Sequence, residues 1–406
     1  MEMYKKIFTI LFMAALLGFS GINMLYAAGG LKYELDNMER PKKLEDVKSY
    51  TLSIDNLLAT NLLFGNAWNE VYANVYNALG KNEENSFAYV RDKDGMLYTG
   101  NFWNTPPVPM KEYALRVKRL QMAAEYHGAK LVVLLYPTQY NEAWSDGYTG
   151  IPYNDYNELG DELVSYFRYY GIDYIDYKQI YLDKEMEAEE IFYKTDHHWR
   201  VEVAFDGFGT MVNYLNDKFD EKLDSYYTDI NNYNVETYKN VFVGSQGRDA
   251  GVSYVGLDDY TYILPKFETD YKYTYKKSDG KLVEEEGSMD ETLVSKSYLE
   301  HEDYYDKDMY SSYLGGIRLW ENIVNNKNED GLKVLFLRDS YTSPLATFFS
   351  SYCSEMDLVW TVQTSPEEIE EAVETIKYDY VFLGLAIDSY IGYGAEFYLS
   401  EVYDNE

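Results

Sequence analysis

Lys130-Leu131-Val132-Val133-Leu134-Leu135-Tyr136 is a nearly unbroken apolar run set between two helical patterns. A strand that is apolar on both faces must be covered on both, and such strands belong to parallel sheets sandwiched by helices. The surrounding chain repeats the alternation. Met110 to His127 has helical spacing, and Tyr156 to Tyr170 is helical again, ending at Gly171 before a short strand over Ile172–Ile175. Arg200 to Phe219 reads as an amphipathic helix. Further on, the spacing predicts a helix around Ser312–Asn325, a strand over Lys333–Leu337, a helix from Pro344 and a strand over Met356–Trp360. A helix from Pro366 to Lys377 and a strand over Tyr380–Leu385 complete the series. The expected fold is a three-layer α/β/α arrangement around a parallel sheet.

Residues 225–300 differ. Tyr271–Lys277, the turn Ser278-Asp279-Gly280 and Lys281–Glu286 read as a hairpin, and the stretch as a whole as a β-rich insertion or a set of long connections. Residues 31–85 mix charge with helical periodicity, as in Ser53-Ile54-Asp55-Asn56-Leu57-Leu58. The division is therefore a leader over 1–28, a helical region over 31–85 and a catalytic-type domain over 86–406. The leader has Lys5-Lys6, an apolar stretch from Ile7 to Ile22, and small residues at Ala27-Ala28-Gly29-Gly30, the pattern of a secretory signal or an uncleaved anchor. Either places the folded part outside the cytoplasm.

Acidic residues outnumber basic ones 69 to 36, for a net charge of −33, a field that repels nucleic acid and anionic lipid. The single cysteine, Cys353, excludes an internal disulfide and reads as a small buried apolar residue. The 46 tyrosines suit either sugar contacts or the amphipathic edges of a core.

Only four histidines occur, and two are adjacent in Thr195-Asp196-His197-His198-Trp199. Far downstream, the apolar run before Arg338 ends in Asp339-Ser340-Tyr341. Functional groups of open parallel sheets gather beyond the carboxyl ends of the strands, where Pro137-Thr138-Gln139 and Asp339-Ser340-Tyr341 both fall. A serine hydroxyl needs an adjacent base to act as nucleophile. His198 is the candidate base and Asp196 the carboxylate that fixes its tautomer. Ser343-Pro344 reads as a helix cap and first helical residue, with the Ser340 and Tyr341 amides as candidate oxyanion donors. Competing readings are a purely structural His-His-Trp corner and a metal site on Asp196, His197 and His198. The remaining histidines, His127 and His301, lie in unrelated contexts, so neither metal nor cofactor is expected. His127 reads as a helix-cap residue. Trp199, Tyr140 and Tyr341 are candidate linings of an acceptor groove, with His197 as a further substrate contact.

The TDHHW string resembles the signature of the DHHW family. Together with Asp339-Ser340-Tyr341 it resembles the SGNH-hydrolase-like group related to the alginate O-acetyltransferases AlgX and AlgJ. The likeness runs from about Arg91-Asp92-Lys93-Asp94-Gly95-Met96-Leu97-Tyr98 to the last strand, and takes in Gly244-Ser245-Gln246-Gly247-Arg248 and Asp357-Leu358-Val359. It implies an SGNH-like fold with the triad order Asp196, His198, Ser340. It also implies O-acetyl transfer to, or removal from, an extracytoplasmic polysaccharide through an acyl-Ser340, with a membrane-bound O-acyltransferase as acyl supplier. Gln139 and Arg248 enter as candidate substrate contacts. Two positions depart from the pattern: Arg338 stands where Gly usually precedes Asp-Ser, and Gln139 where a Lys usually follows Pro-Thr. They keep a second reading open, a non-catalytic glycan-binding or polysaccharide-assembly protein on the same fold.

Overall fold

The computed structural model describes residues 2–397, apart from 38–42, 44–46, 49, 55–61, 85, 101–105, 146–147, 149, 154–155, 278–279, 301–302, 307 and 393–396. The Asp55–Leu58 part of the predicted N-terminal periodicity and the Ser278-Asp279 turn lie outside the described residues. The chain forms two compact units, Met1–Leu79 and Gly80–Glu406. In the first, helix α1 (Glu2–Asn37) holds a stretch, Met3–Ala28, long and apolar enough to cross a membrane, and helix α2 (Gly65–Ala78) follows.

The second unit starts with a small antiparallel sheet of β1 (Glu83–Glu84), β2 (Tyr89–Arg91) and β3 (Leu97–Thr99). Helix α3 (Met110–Tyr126) leads to β4 (Lys130–Tyr136), and α4 (Asn157–Tyr170) to β5 (Tyr174–Asp176). His127 is the C-cap of α3, and Gly171, at φ 64°, closes α4 in the left-handed conformation that glycine adopts without strain. Helix α5 (Val201–Phe219) then precedes β6 (Tyr233–Phe242), the short helix α6 (Ser245–Ala250), β7 (Asp258–Pro265), β8 (Tyr271–Lys276) and β9 (Leu282–Gly287). After β10 (Trp320–Asn325) come β11 (Leu332–Arg338), α7 (Thr342–Phe349), β12 (Cys353–Trp360), α8 (Pro366–Thr375), β13 (Tyr380–Ala386) and α9 (Ile387–Gly392).

Eight strands form the main sheet in the order β5-β4-β13-β11-β12-β10-β8-β9. The first five run parallel, and β10, β8 and β9 extend the edge in antiparallel fashion. Alternate residues of the parallel strands enter different cores. Val132, Leu134, Phe336, Leu358 and Phe382 pack with α5 and α7, whereas Leu131, Val133, Leu335, Leu337 and Leu383 pack with α3, α4 and α8. Period-two alternation between two apolar faces is the three-layer fold that the run at 130–136 predicts.

One expectation is corrected. Where a helix is expected around Ser312–Asn325, Trp320–Asn325 is strand β10, whose buried positions 321, 323 and 325 alternate with half-buried ones. Glu321 and Asn325 on its inward face broke the apolar pattern that would have marked it as a strand. The stretch 225–300 is β-rich, as expected. β6 and β7 form a separate two-stranded ribbon, while the hairpin β8–β9 joins the main sheet through β10. Cys353 is buried, as expected.

Candidate active site

Residues 192–199 form a tight loop closed by an antiparallel bridge between Phe192 and Trp199. The loop is tied down from below. Asp258, at the start of β7, accepts the Lys194 amide at 3.0 Å and the Thr195 amide and hydroxyl at 2.9 and 2.7 Å. The Thr195 hydroxyl in turn accepts the Gly244 amide at 2.8 Å. Gln139, just past β4, donates its side-chain amide to the carbonyls of Asp196 at 3.2 Å and Tyr193 at 3.4 Å.

This frame aims the Asp196 carboxylate. Its Oδ1 accepts the His198 amide at 2.9 Å and His198 Nδ1 at 2.5 Å, and its Oδ2 accepts the Ser245 amide at 2.7 Å. Gly244 makes the approach possible, since a Cβ there would lie 2.1 Å from Asp196 Cβ and 2.4 Å from Oδ2. Burial works to raise the Asp196 pKa, but the facing histidines and these hydrogen bonds outweigh it and hold the carboxyl far below its ordinary range. Burial likewise works to lower His198, and the Asp196 charge and hydrogen bond reverse that, leaving the ring above its ordinary value. Tyr310 stacks on the ring, with centroids 3.9 Å apart and planes 10° apart. The other nitrogen, Nε2, lies 2.6 Å from Ser340 Oγ.

Ser340 sits where β11 gives way to α7. Asp339 shapes the turn: its Oδ1 accepts the Tyr341 amide at 3.0 Å, and its Oδ2 accepts the Ala386 amide at 2.7 Å and the Ser389 hydroxyl at 2.8 Å. Burial pushes its carboxyl up to about 6. Two expectations change here. Helix α7 begins at Thr342, and Ser343 is not its cap but accepts Arg338 Nη1 at 2.8 Å. The Tyr341 amide is engaged by Asp339, so it is not available to an oxyanion in this arrangement. Arg338, in place of the usual Gly, turns away and pairs with the buried Glu321 of β10.

Asp196, His198 and Ser340 thus meet in one hydrogen-bonded chain. His197 lies beside them, partly exposed, with Nδ1 3.1 Å from Ser245 Oγ, and burial with the His198 charge brings its pKa down to about 4. Tyr140 is half-buried and stacks on Tyr153 at 4.4 Å. Trp199 does not line a groove. It is fully buried against Tyr136 and Tyr177, with Gly207 of α5 making room for its ring, and its indole donates to the Tyr341 carbonyl at 3.0 Å. Tyr341 is nearly buried and donates its hydroxyl to the His197 carbonyl. Arg248 pairs with Asp308 at 3.6 Å. Asp196, His197 and His198 bring ligand atoms within 4.8 Å of one another. Both nitrogens of His198 and both oxygens of Asp196 already take part in hydrogen bonds, so a cation there would have to break them.

Sequence reasoning passed over Asp258, Asp308 and Tyr310. Each acts through contacts between segments far apart in the chain, and no local spacing marks them. The glycines of Gly244-Ser245-Gln246-Gly247 were the one available signal, because paired glycines beside a polar turn suggest close backbone approach.

No curated protein matches the chain by sequence. Among solved structures, Bacillus cereus PatB1 with a sulfonyl adduct superposes with a TM-score of 0.61 at 16% identity, covering 77% of this chain and 98% of that one. A DHHW family protein from Eubacterium siraeum DSM 15702 gives a TM-score of 0.53 at 19% identity, covering 77% and 96%. Both likenesses are of fold. Residues 90–304 match the family described as the SGNH hydrolase-like domain of acetyltransferase AlgX, and the chain belongs to that family.

Proposed function

We propose that the protein is an extracytoplasmic serine O-acetyltransferase or acetylesterase acting on a cell-envelope or secreted polysaccharide. The observation that carries this reading is the unbroken chain from Asp196 through His198 to Ser340, at 2.5 and 2.6 Å. Membership of an acetyltransferase family and the apolar helix α1 support it. His198 Nε2 takes the Ser340 proton as Oγ bonds to the acetyl carbon, and then gives it to the departing oxygen of the donor. Asp196 stabilises the imidazolium formed in between. A sugar hydroxyl or water next yields its proton to His198 and attacks acetyl-Ser340, and the returning proton frees the serine. A membrane-bound acyltransferase is the proposed donor.

The test uses a sulfonyl fluoride and an activated acetyl ester. Mass spectrometry should find one adduct on Ser340, and Ser340→Ala should lose both the adduct and acetate release, by about 10³-fold or more. Equal labelling and turnover in the variant would overturn the nucleophile assignment and favour the non-catalytic glycan-binding reading.

A further inference from the structure

In the first compact unit, α2 has two chemically different sides. Phe64, Trp68, Val71, Val75 and Leu79 recur at the spacing that lines one face of a helix, with Tyr72 beside them. Asn66, Glu70, Asn74 and Asn77 fill the opposite side. The apolar face is open: Phe64 is 70% exposed, Trp68 48%, Val71 56% and Leu79 67%. A contiguous apolar stripe of this kind marks an interaction surface, whereas single exposed apolar residues do not. Glu70 is the one charged residue from Gly65 to Ala78, so the helix has no cation with which to attract an acidic partner.

The neighbour of α2 indicates what covers this face. Phe19 of α1 meets the Trp68 ring edge-on, with centroids 5.9 Å apart. Asn23 donates its side-chain amide to the Phe19 carbonyl at 2.9 Å, and its Oδ1 accepts the Leu63 amide at 2.7 Å. A carboxamide on an apolar span is costly unless it is bonded in this way. Phe19 and Asn23 both belong to Met3–Ala28, the stretch long and apolar enough to cross a membrane. An upright helix centred in about 30 Å of hydrocarbon and rising 1.5 Å per residue puts Asn23 about 4 Å, and Phe19 about 10 Å, inside the edge on the Ala28 side. A helix lying in the interface buries its apolar face to roughly that depth, about 5–10 Å. Tryptophan and tyrosine favour the same level, and Lys5-Lys6 at the far end of α1 keep that end cytoplasmic.

We infer that α1 stays on the protein as a membrane anchor and that α2 lies beside it in the outer leaflet, with the Phe64, Trp68, Val71, Val75 and Leu79 face in lipid. The occupant of the exposed face is therefore the bilayer that α1 spans. Attraction comes from apolar burial and not from charge, so the lipid headgroup matters little. The span alone leaves the chain free to turn about the α1 axis, and α2 adds a second hold on the same leaflet. This inference is independent of the acyl-serine reading.

The test uses the full chain. Purified from membranes, it should keep residues 1–28 by intact mass and stay in the pellet after alkaline carbonate extraction. For the second arm, the buried Cys353 is changed to Ala, and a polarity-sensitive fluorophore is attached in turn at Val71→Cys, Val75→Cys and Asn74→Cys. In phosphatidylcholine vesicles, emission at positions 71 and 75 should be blue-shifted and quenched several-fold more by nitroxide-bearing lipid than at position 74. Neither added salt nor anionic lipid should change that ratio, since α2 carries no cation. Loss of residues 1–28 from the mature chain would overturn the anchor. Equal quenching at the three positions would overturn the placement of α2. Blue-shifted emission at 71 and 75 without lipid quenching would mean that a protein surface covers the face, and would overturn the lipid assignment.

Discussion

At the scale of single residues, the site depends on one carboxylate kept ionised in a buried place. Asp196→Asn keeps the shape but removes the charge that raises His198 and fixes its tautomer. Acetate release should fall by about 10³–10⁴-fold, as for loss of the orienting carboxylate in other triads. The pH profile adds a signature. Acylation needs neutral His198, so the rate should rise with pH through a midpoint above 6.5, the ordinary histidine value. In the Asn variant the midpoint should fall, because burial is then opposed only by the lesser pull of Asp308 and Asp339. A midpoint unmoved by the substitution would contradict the Asp196–His198 coupling. The triad was legible because Asp-x-His and Asp-Ser are short local strings. The roles of Trp199 and Tyr341 were not, since the same aromatic residues serve a groove or a core and only burial separates them.

At the scale of elements, the nucleophile strand and the histidine loop are held by close approaches that leave little room. Gly244→Ala would drive a methyl group into Asp196. It should cost about 1–3 kcal/mol of stability by chemical denaturation and lower acylation more than a surface Gly→Ala substitution does. The pairing of Arg338 with Glu321 fastens β11, through buried charges, to an antiparallel neighbour two strands away in the sheet order. Arg338→Met alone leaves Glu321 buried and uncompensated, and should cost about 3–5 kcal/mol. Arg338→Met with Glu321→Leu should recover much of that loss in urea unfolding, and no recovery would mean the ion pair is not the cause. Parallel strands such as Lys130–Tyr136 were readable because both faces are apolar. β10 was not, because its inward polar residues find partners only across the sheet: Glu321 meets Arg338 and Tyr273, and Asn325 meets the Ser350 carbonyl.

At the scale of the whole molecule, buried acids and a net charge of −33 act in the same direction. Burial raises the carboxyls of Asp92, Asp176, Asp258, Asp308, Asp339, Asp357 and Asp388 above the ordinary value. A raised folded-state pKa contributes stability that is present at low pH and lost as pH rises through it. His198 follows the same sign, and its contribution is lost as pH rises past its folded value. His197 opposes, losing stability as pH falls below 6.5 towards 4. The depressed Asp196 opposes only in stronger acid, below the ordinary carboxyl value of 3.8. Asp339, pushed up to about 6, His198, held above 6.5, and the self-repelling acidic surface all favour the lower pH, so the melting temperature should be higher at pH 5.5 than at pH 8 in low salt, with the gap narrowing as salt screens that surface. A melting temperature that climbed towards pH 8 would contradict this account.

The indole of Trp199 joins the histidine loop to the serine turn, two segments 142 residues apart in the chain. Its ring lies within 4.9 to 6.2 Å of Tyr136, Tyr177 and Tyr341. Light absorbed by those phenols will be passed to this indole, whose emission depends on how dry its surroundings are. With the chain's five other tryptophans replaced, Trp199 becomes a built-in fluorescent gauge of whether base and nucleophile are seated together.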